Sequence, residues 1–71
     1  MNIKILFGKN VRKLRESKSW SQEKLSEESG LHRTYISGIE RGVRNPTVEI
    51  INQIALALKV HISDLFKNLE K

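Results

Sequence analysis

The stretch Ser21 to Gly42 reads SQEKLSEESGLHRTYISGIERG, and it decides the fold. Ser21 is a natural N-cap, because its hydroxyl can accept from a free backbone N–H of the next turn. Trp20 before the cap and Leu25 at the fourth helical position have the spacing of a hydrophobic staple. Glu23 puts negative charge in the first turn, where the helix dipole favours it. A helix over about Gln22 to Ser29 follows, closed by Gly30, the residue type best suited to a left-handed turn. The same pattern then repeats. Leu31 and Ile36 flank a cap at His32, and a second helix runs from about Arg33 to Arg41 and ends at Gly42.

Upstream, Ile3, Phe7, Val11 and Leu14 step along one face of a helix that ends near Ser17. Downstream, Thr47 caps a helix whose buried stripe is Val48, Ile51, Ile54, Ala55 and Leu58. Ser63 caps a short fifth helix containing Leu65, Phe66 and Leu69. Val60-His61-Ile62 is too short and isolated for a strand. The expectation is an all-α, compact five-helix domain, one domain over residues 1–71, with its single core near the lower size limit for independent stability.

Composition narrows the function. The chain carries a formal charge of +5 and no cysteine, with a pI of about 9.9. A basic surface favours a polyanionic partner. Absence of cysteine excludes disulfide scaffolds, thiolate metal sites and cysteine nucleophiles, and fits a cytoplasmic address. His32 and His61 are far apart in sequence with no acidic cluster, so no metal site is expected. No catalytic arrangement of serine, histidine and acid is spaced interpretably, no glycine loop cradles phosphate, and Asp64 is the only aspartate. The chain reads as a non-enzyme that needs no cofactor. The apolar run near Met1 is broken by Lys4 and lacks a cleavage site, and nothing is long enough to span a bilayer.

Two short helices joined around Gly30 are what a helix-turn-helix requires. Leu25, Leu31, Ile36 and Ile39 can lock them together, leaving the other face of the second helix for a DNA major groove. That face carries Arg33, Thr34 and Ser37, with Tyr35 either packed on the domain or turned to DNA. Arginine can contact guanine bidentately, and threonine and serine can reach bases or phosphates. Arg41 has two readings, a phosphate contact or a cation favoured by the helix C-terminus. Glu23, Glu27 and Glu28 read as a solvated face kept away from DNA.

The residues Ser21-Gln22-Glu23-Lys24-Leu25, Ser29-Gly30-Leu31, Tyr35 to Gly42 and Asn45-Pro46-Thr47 resemble the XRE/Cro-C1 class of regulators. The likeness runs from about Asn10 to Phe66. The run Arg33 to Arg41 is similar to the controller proteins of bacterial restriction-modification systems. The resemblance implies a lambda-repressor-like fold whose helices 2 and 3 form the helix-turn-helix. It implies base contacts from Arg33, Thr34, Tyr35 and Ser37, and phosphate contacts from Gln22, His32, Arg41, Arg44 and Asn45. It also implies a structural ion pair, Arg15 with Glu40. A controller would activate the endonuclease gene and repress at high concentration. Its partners would be a palindromic operator in double-stranded DNA, a second copy of the chain, and RNA polymerase. The chain departs from the class in two places. Ser19 stands where glycine is usual, and His32 replaces the usual serine or aspartate cap.

One recognition helix reads too few base pairs to address a genome, so a second copy is expected. The tail supplies candidates for that interface: Val60, Ile62, Leu65, Phe66 and Leu69. Leu65 and one neighbour can close the core, and the rest would form an exposed apolar cluster of the kind that marks an interface. The competing reading is an antitoxin or phage-type repressor whose main partner is another protein. Only residues 67–71 follow Phe66, which leaves little room for a partner-binding segment.

Overall fold

Asn2 starts the first helix. Its Oδ1 accepts from the N–H groups of Lys4 at 3.0 Å and Ile5 at 3.3 Å, which satisfies donors that a helix end otherwise leaves free. In the computed structural model, which describes residues 2–68, the elements are α1 (Ile3–Ser17), α2 (Gln22–Ser29), α3 (Arg33–Glu40), α4 (Val48–Leu58) and a 3-10 turn (Ile62–Phe66). There is no strand among the described residues.

Local chemistry sets the boundaries. Ser21 Oγ accepts from Lys24 N–H at 3.0 Å, His32 Nδ1 from Thr34 N–H at 3.4 Å, and Thr47 Oγ1 from Ile50 N–H at 3.2 Å. Gly30 closes α2 in left-handed backbone, φ 77°. The ends of α1, α3 and α4 share one device, a left-handed residue whose N–H, and that of the residue after it, bond back to carbonyls of the last turn. Gly42 fills that place after α3, Ser19 after α1 with φ 58°, and Lys59 after α4 with φ 59°.

Phe7, Val11, Leu25, Ile36, Ile39, Ile54, Ala55, Leu58 and Leu65 form the core. α3 packs on α1 and α2, α4 packs on α2, and the 3-10 turn closes the bottom against α1 and α4. The seam between α1 and α3 is tight at Gly8, where a Cβ would stand 2.2 Å from the carbonyl oxygen of Ile39.

Two expectations from the sequence need correction. Val48 is not part of the α4 stripe but 76% exposed. Helical side chains lean toward the N-terminus, so that of the first residue leans off the end of the helix and past the core. The fifth helix is a 3-10 turn that begins at Ile62, ahead of the expected cap at Ser63. His61 N–H donates to Asp64 Oδ2 at 3.1 Å, and five residues are too few to establish a regular α ladder. The Asp64 carboxyl is held below its ordinary value by a hydrogen bond from Lys67 and then by that His61 N–H. Leu65 closes the core as expected and is fully buried, so of the tail residues it is the one that does not itself face outward. Asn10 holds its segment from inside, with Nδ2 donating to the carbonyls of Leu65 at 2.9 Å and Lys67 at 3.1 Å.

Candidate nucleic-acid interface

The two faces of α3 differ sharply. Ile36 and Ile39 are buried on one, while Arg33 and Thr34 are exposed and Ser37 half-buried on the other. The apolar pair, three residues apart, turns inward and thereby aims the polar residues outward. Arg41, just past the helix, is exposed and donates from Nε to Ser37 Oγ at 3.4 Å. His32 is exposed beside Arg33 and spends Nδ1 on its capping role.

The loop after α3 brings a further cation to this face. Arg44 and Asn45 are exposed, and the Arg44 guanidinium lies 5.3 Å from the Tyr35 ring centroid. That distance is within cation–π range. Tyr35 is half-buried, with its ring both packed on the core and covered by Arg44.

Behind α3, Arg15 and Glu40 fix its orientation. Arg15 Nε donates to Glu40 Oε2 at 2.7 Å and Nη2 to Oε1 at 3.0 Å. Arg15 Nη1 donates to the Trp20 carbonyl at 2.6 Å. The side chains are only 10% and 4% exposed. Such a bidentate pair has geometry as well as charge, so it sets the angle between helices and not only their distance. The hydrogen bonds to Glu40 raise the Arg15 pKa above its ordinary value despite burial, which keeps the guanidinium charged. Gln22 is half-buried and donates from Nε2 to Glu40 Oε1 at 3.0 Å. Its amide is therefore anchored at the joint between α2 and α3.

The tail residues are dispersed in depth. Ile62 is 40% exposed, and Val60 and Phe66 are half-buried, the Phe66 ring 5.2 Å from that of Phe7. Leu69 lies outside the described residues. Leu56, on α4, is 69% exposed and lies off the stripe of Ile54, Ala55 and Leu58. The Arg44–Tyr35 contact and the Asn10 anchor were missed in the sequence. Only Asn10 had a signal, a lone amide three residues from Phe7 in the apolar stripe of α1. Among the described residues no group of His, Asp or Glu is placed to hold a metal ion, and no helix is long and apolar enough to cross a membrane.

The HTH_3 helix-turn-helix model matches residues 11–65. The chain is 57% identical over 65 residues to control protein C.BamHI of Bacillus amyloliquefaciens, covering 90% of this chain and 80% of that one. Among solved structures, the restriction-modification controller protein C.AhdI of Aeromonas hydrophila superposes with a TM-score of 0.85 at 44% identity, covering 87% of this chain and 94% of that one. The controller protein C.Esp1396I, solved as a tetramer with its natural 35 base-pair operator, superposes with a TM-score of 0.87 at 36% identity, covering 99% and 92%.

Proposed function

The chain belongs to the HTH_3 helix-turn-helix family, and from that premise we propose that it is a sequence-specific DNA-binding regulator of a restriction-modification system. Residues 1–71 act as one DNA-binding domain. α2, the turn at Gly30 and α3 form the helix-turn-helix, and α3 enters the major groove. The observation that carries this reading is the outward face of α3, where Arg33, Thr34 and Ser37 stand opposite the buried Ile36 and Ile39.

The residues divide by chemistry. Arg33 is suited to the two acceptors of guanine, and the Thr34 methyl to the thymine methyl. Tyr35 and Ser37 complete the base-reading set. Gln22, His32, Arg41, Arg44 and Asn45 contact phosphate and set the register of the domain on the duplex. The protein binds a palindromic operator as a homodimer through the tail residues Val60, Ile62, Phe66 and Leu69, with Leu65 supporting them from the core. The two recognition helices would then lie roughly 34 Å apart on one face of the DNA. The regulator works in the cytoplasm, meets RNA polymerase when it activates, and represses its own gene when further sites fill. Relatives solved or described as controllers, one of them on its operator, support this assignment.

Selection of duplexes from a randomised pool, followed by binding measurements on the winner, tests the reading. Arg33→Ala should cost about 1–3 kcal/mol and relax preference at one base pair per half-site. Arg44→Ala should weaken all duplexes alike and reduce the salt slope by about one counterion per subunit. An unchanged affinity and base preference in Arg33→Ala would remove α3 from the groove.

A further inference from the structure

Gly38 lies in the middle of α3, in ordinary helical backbone, where glycine is among the poorest helix formers. No turn requires it. A Cβ built there has Arg44 as its neighbour three times over, with Cγ at 2.8 Å, Nε at 3.1 Å and Cδ at 3.5 Å. The nearest obstacle is thus a single exposed side chain, which clears the space by turning about its Cα–Cβ bond, and not backbone.

The path of the chain explains the approach. After Gly42 the backbone reverses, and Val43 N–H donates to the Gly38 carbonyl at 3.0 Å. Arg44 follows directly, so its stem crosses the gap over Gly38. Tyr35 and Gly38 are three residues apart and share one helix face. The guanidinium therefore ends against the Tyr35 ring, 5.3 Å from its centroid. An exposed arginine otherwise samples many rotamers and loses that freedom on binding. A gap beneath the stem and an aromatic face beneath the head reduce the freedom beforehand, which lowers the cost of ordering it.

We infer that Gly38 is a positioning residue for DNA: by lacking a side chain it seats Arg44 on Tyr35 and so holds the guanidinium at the edge of the face formed by Arg33, Thr34 and Ser37. The inference rests on the DNA-binding reading above, with Arg44 as a phosphate contact.

The test uses the full chain as wild type, Gly38→Ala, Arg44→Ala and the double variant. In the free protein, the Arg44 side-chain protons should resonate upfield under the Tyr35 ring current, and Gly38→Ala should abolish that displacement. Its melting temperature should be unchanged or up to about 6 °C higher, since alanine is the better helix former. On the duplex selected by the wild type, Gly38→Ala should bind roughly three- to tenfold more weakly, the range expected from freeing one rotamer-rich side chain. In the Arg44→Ala background the same substitution should change nothing further. Three results would overturn the inference: undisplaced Arg44 protons in the wild type, a clear fall in melting temperature in Gly38→Ala, or an equal loss of binding with Arg44 already absent. The last would mean that the backbone at Gly38 approaches DNA itself. A wild type that selects no duplex defeats the DNA-binding reading, and with it the role in binding. The proton displacement and its loss would then report on the seat alone.

Discussion

Gly8 and Gly38 sit in the same helical conformation, both buried, in α1 and α3. Their surroundings differ. A Cβ at Gly8 would meet the backbone oxygens of Ile39 at 2.2 Å and Glu40 at 2.9 Å. At Gly38 the nearest atoms all belong to one arginine side chain. Backbone cannot yield without moving a helix, whereas an exposed side chain can. The first glycine thus serves the seam that holds α3, and the second serves what α3 presents. The seam has a second fastening at Arg15 and Glu40, seven residues along α1 and so about 10 Å further. Both fastenings meet α3 at Ile39 and Glu40, so they pin the C-terminal end of α3 to two points of α1. At the outer edge Arg44 meets Gly38 and Tyr35 through its side chain alone, which can move without displacing a helix.

The contrast can be broken most forcefully at Glu40. Glu40→Ala leaves the Arg15 guanidinium nearly buried without its carboxylate, and should cost about 3 kcal/mol, the lower end for a buried pair because the arginine keeps some solvent. Replacing both, Arg15→Met with Glu40→Leu, should cost less than the single change. Denaturant titrations of the three proteins decide this, and simple additivity would show that the pair does not act as a unit. Gly8→Ala comes next. It should destabilise by about 2 kcal/mol through overpacking against backbone, while Gly38→Ala leaves stability intact. Similar melting temperatures for the two variants would erase the distinction between seam and edge. The smallest effect belongs to the helix ends. Ser19 and Lys59 hold left-handed backbone without being glycine, so Ser19→Gly and Lys59→Gly should each stabilise by about 0.5–1 kcal/mol. Ser19 adjoins the seam through Trp20, whose carbonyl Arg15 holds. A gain at Lys59 alone would mean that the seam already offsets the strain at Ser19.

The difference between seam and edge also divides what could be read in advance. The caps at Ser21, His32 and Thr47 and the reversals at Gly30 and Gly42 depend on side chains within a few residues of the backbone groups they serve, and each is found as the residue types imply. The outward set on α3 follows from the helical period once Ile36 and Ile39 are taken as core. Val48 is apolar and correctly spaced, but whether such a residue faces core or solvent depends on where the neighbouring element stops. Arg44 and Tyr35 are nine positions apart, and only the return of the chain over Gly38 brings them together.

The amino-acid sequence by itself determined the four α-helices, the caps at Ser21, His32 and Thr47, the glycine reversals and the residues displayed on α3, because capping, turn chemistry and amphipathic period act over a few residues and need no partner segment. The tertiary structure alone decided that Gly8 admits the backbone of α3, that Asn10 captures the carbonyls of Leu65 and Lys67 at the end of the 3-10 turn, and that Arg44 comes to rest on Tyr35. Each of these is a contact between different segments of the chain, and its existence depends on packing tolerances of a few tenths of an ångström that no residue type encodes on its own.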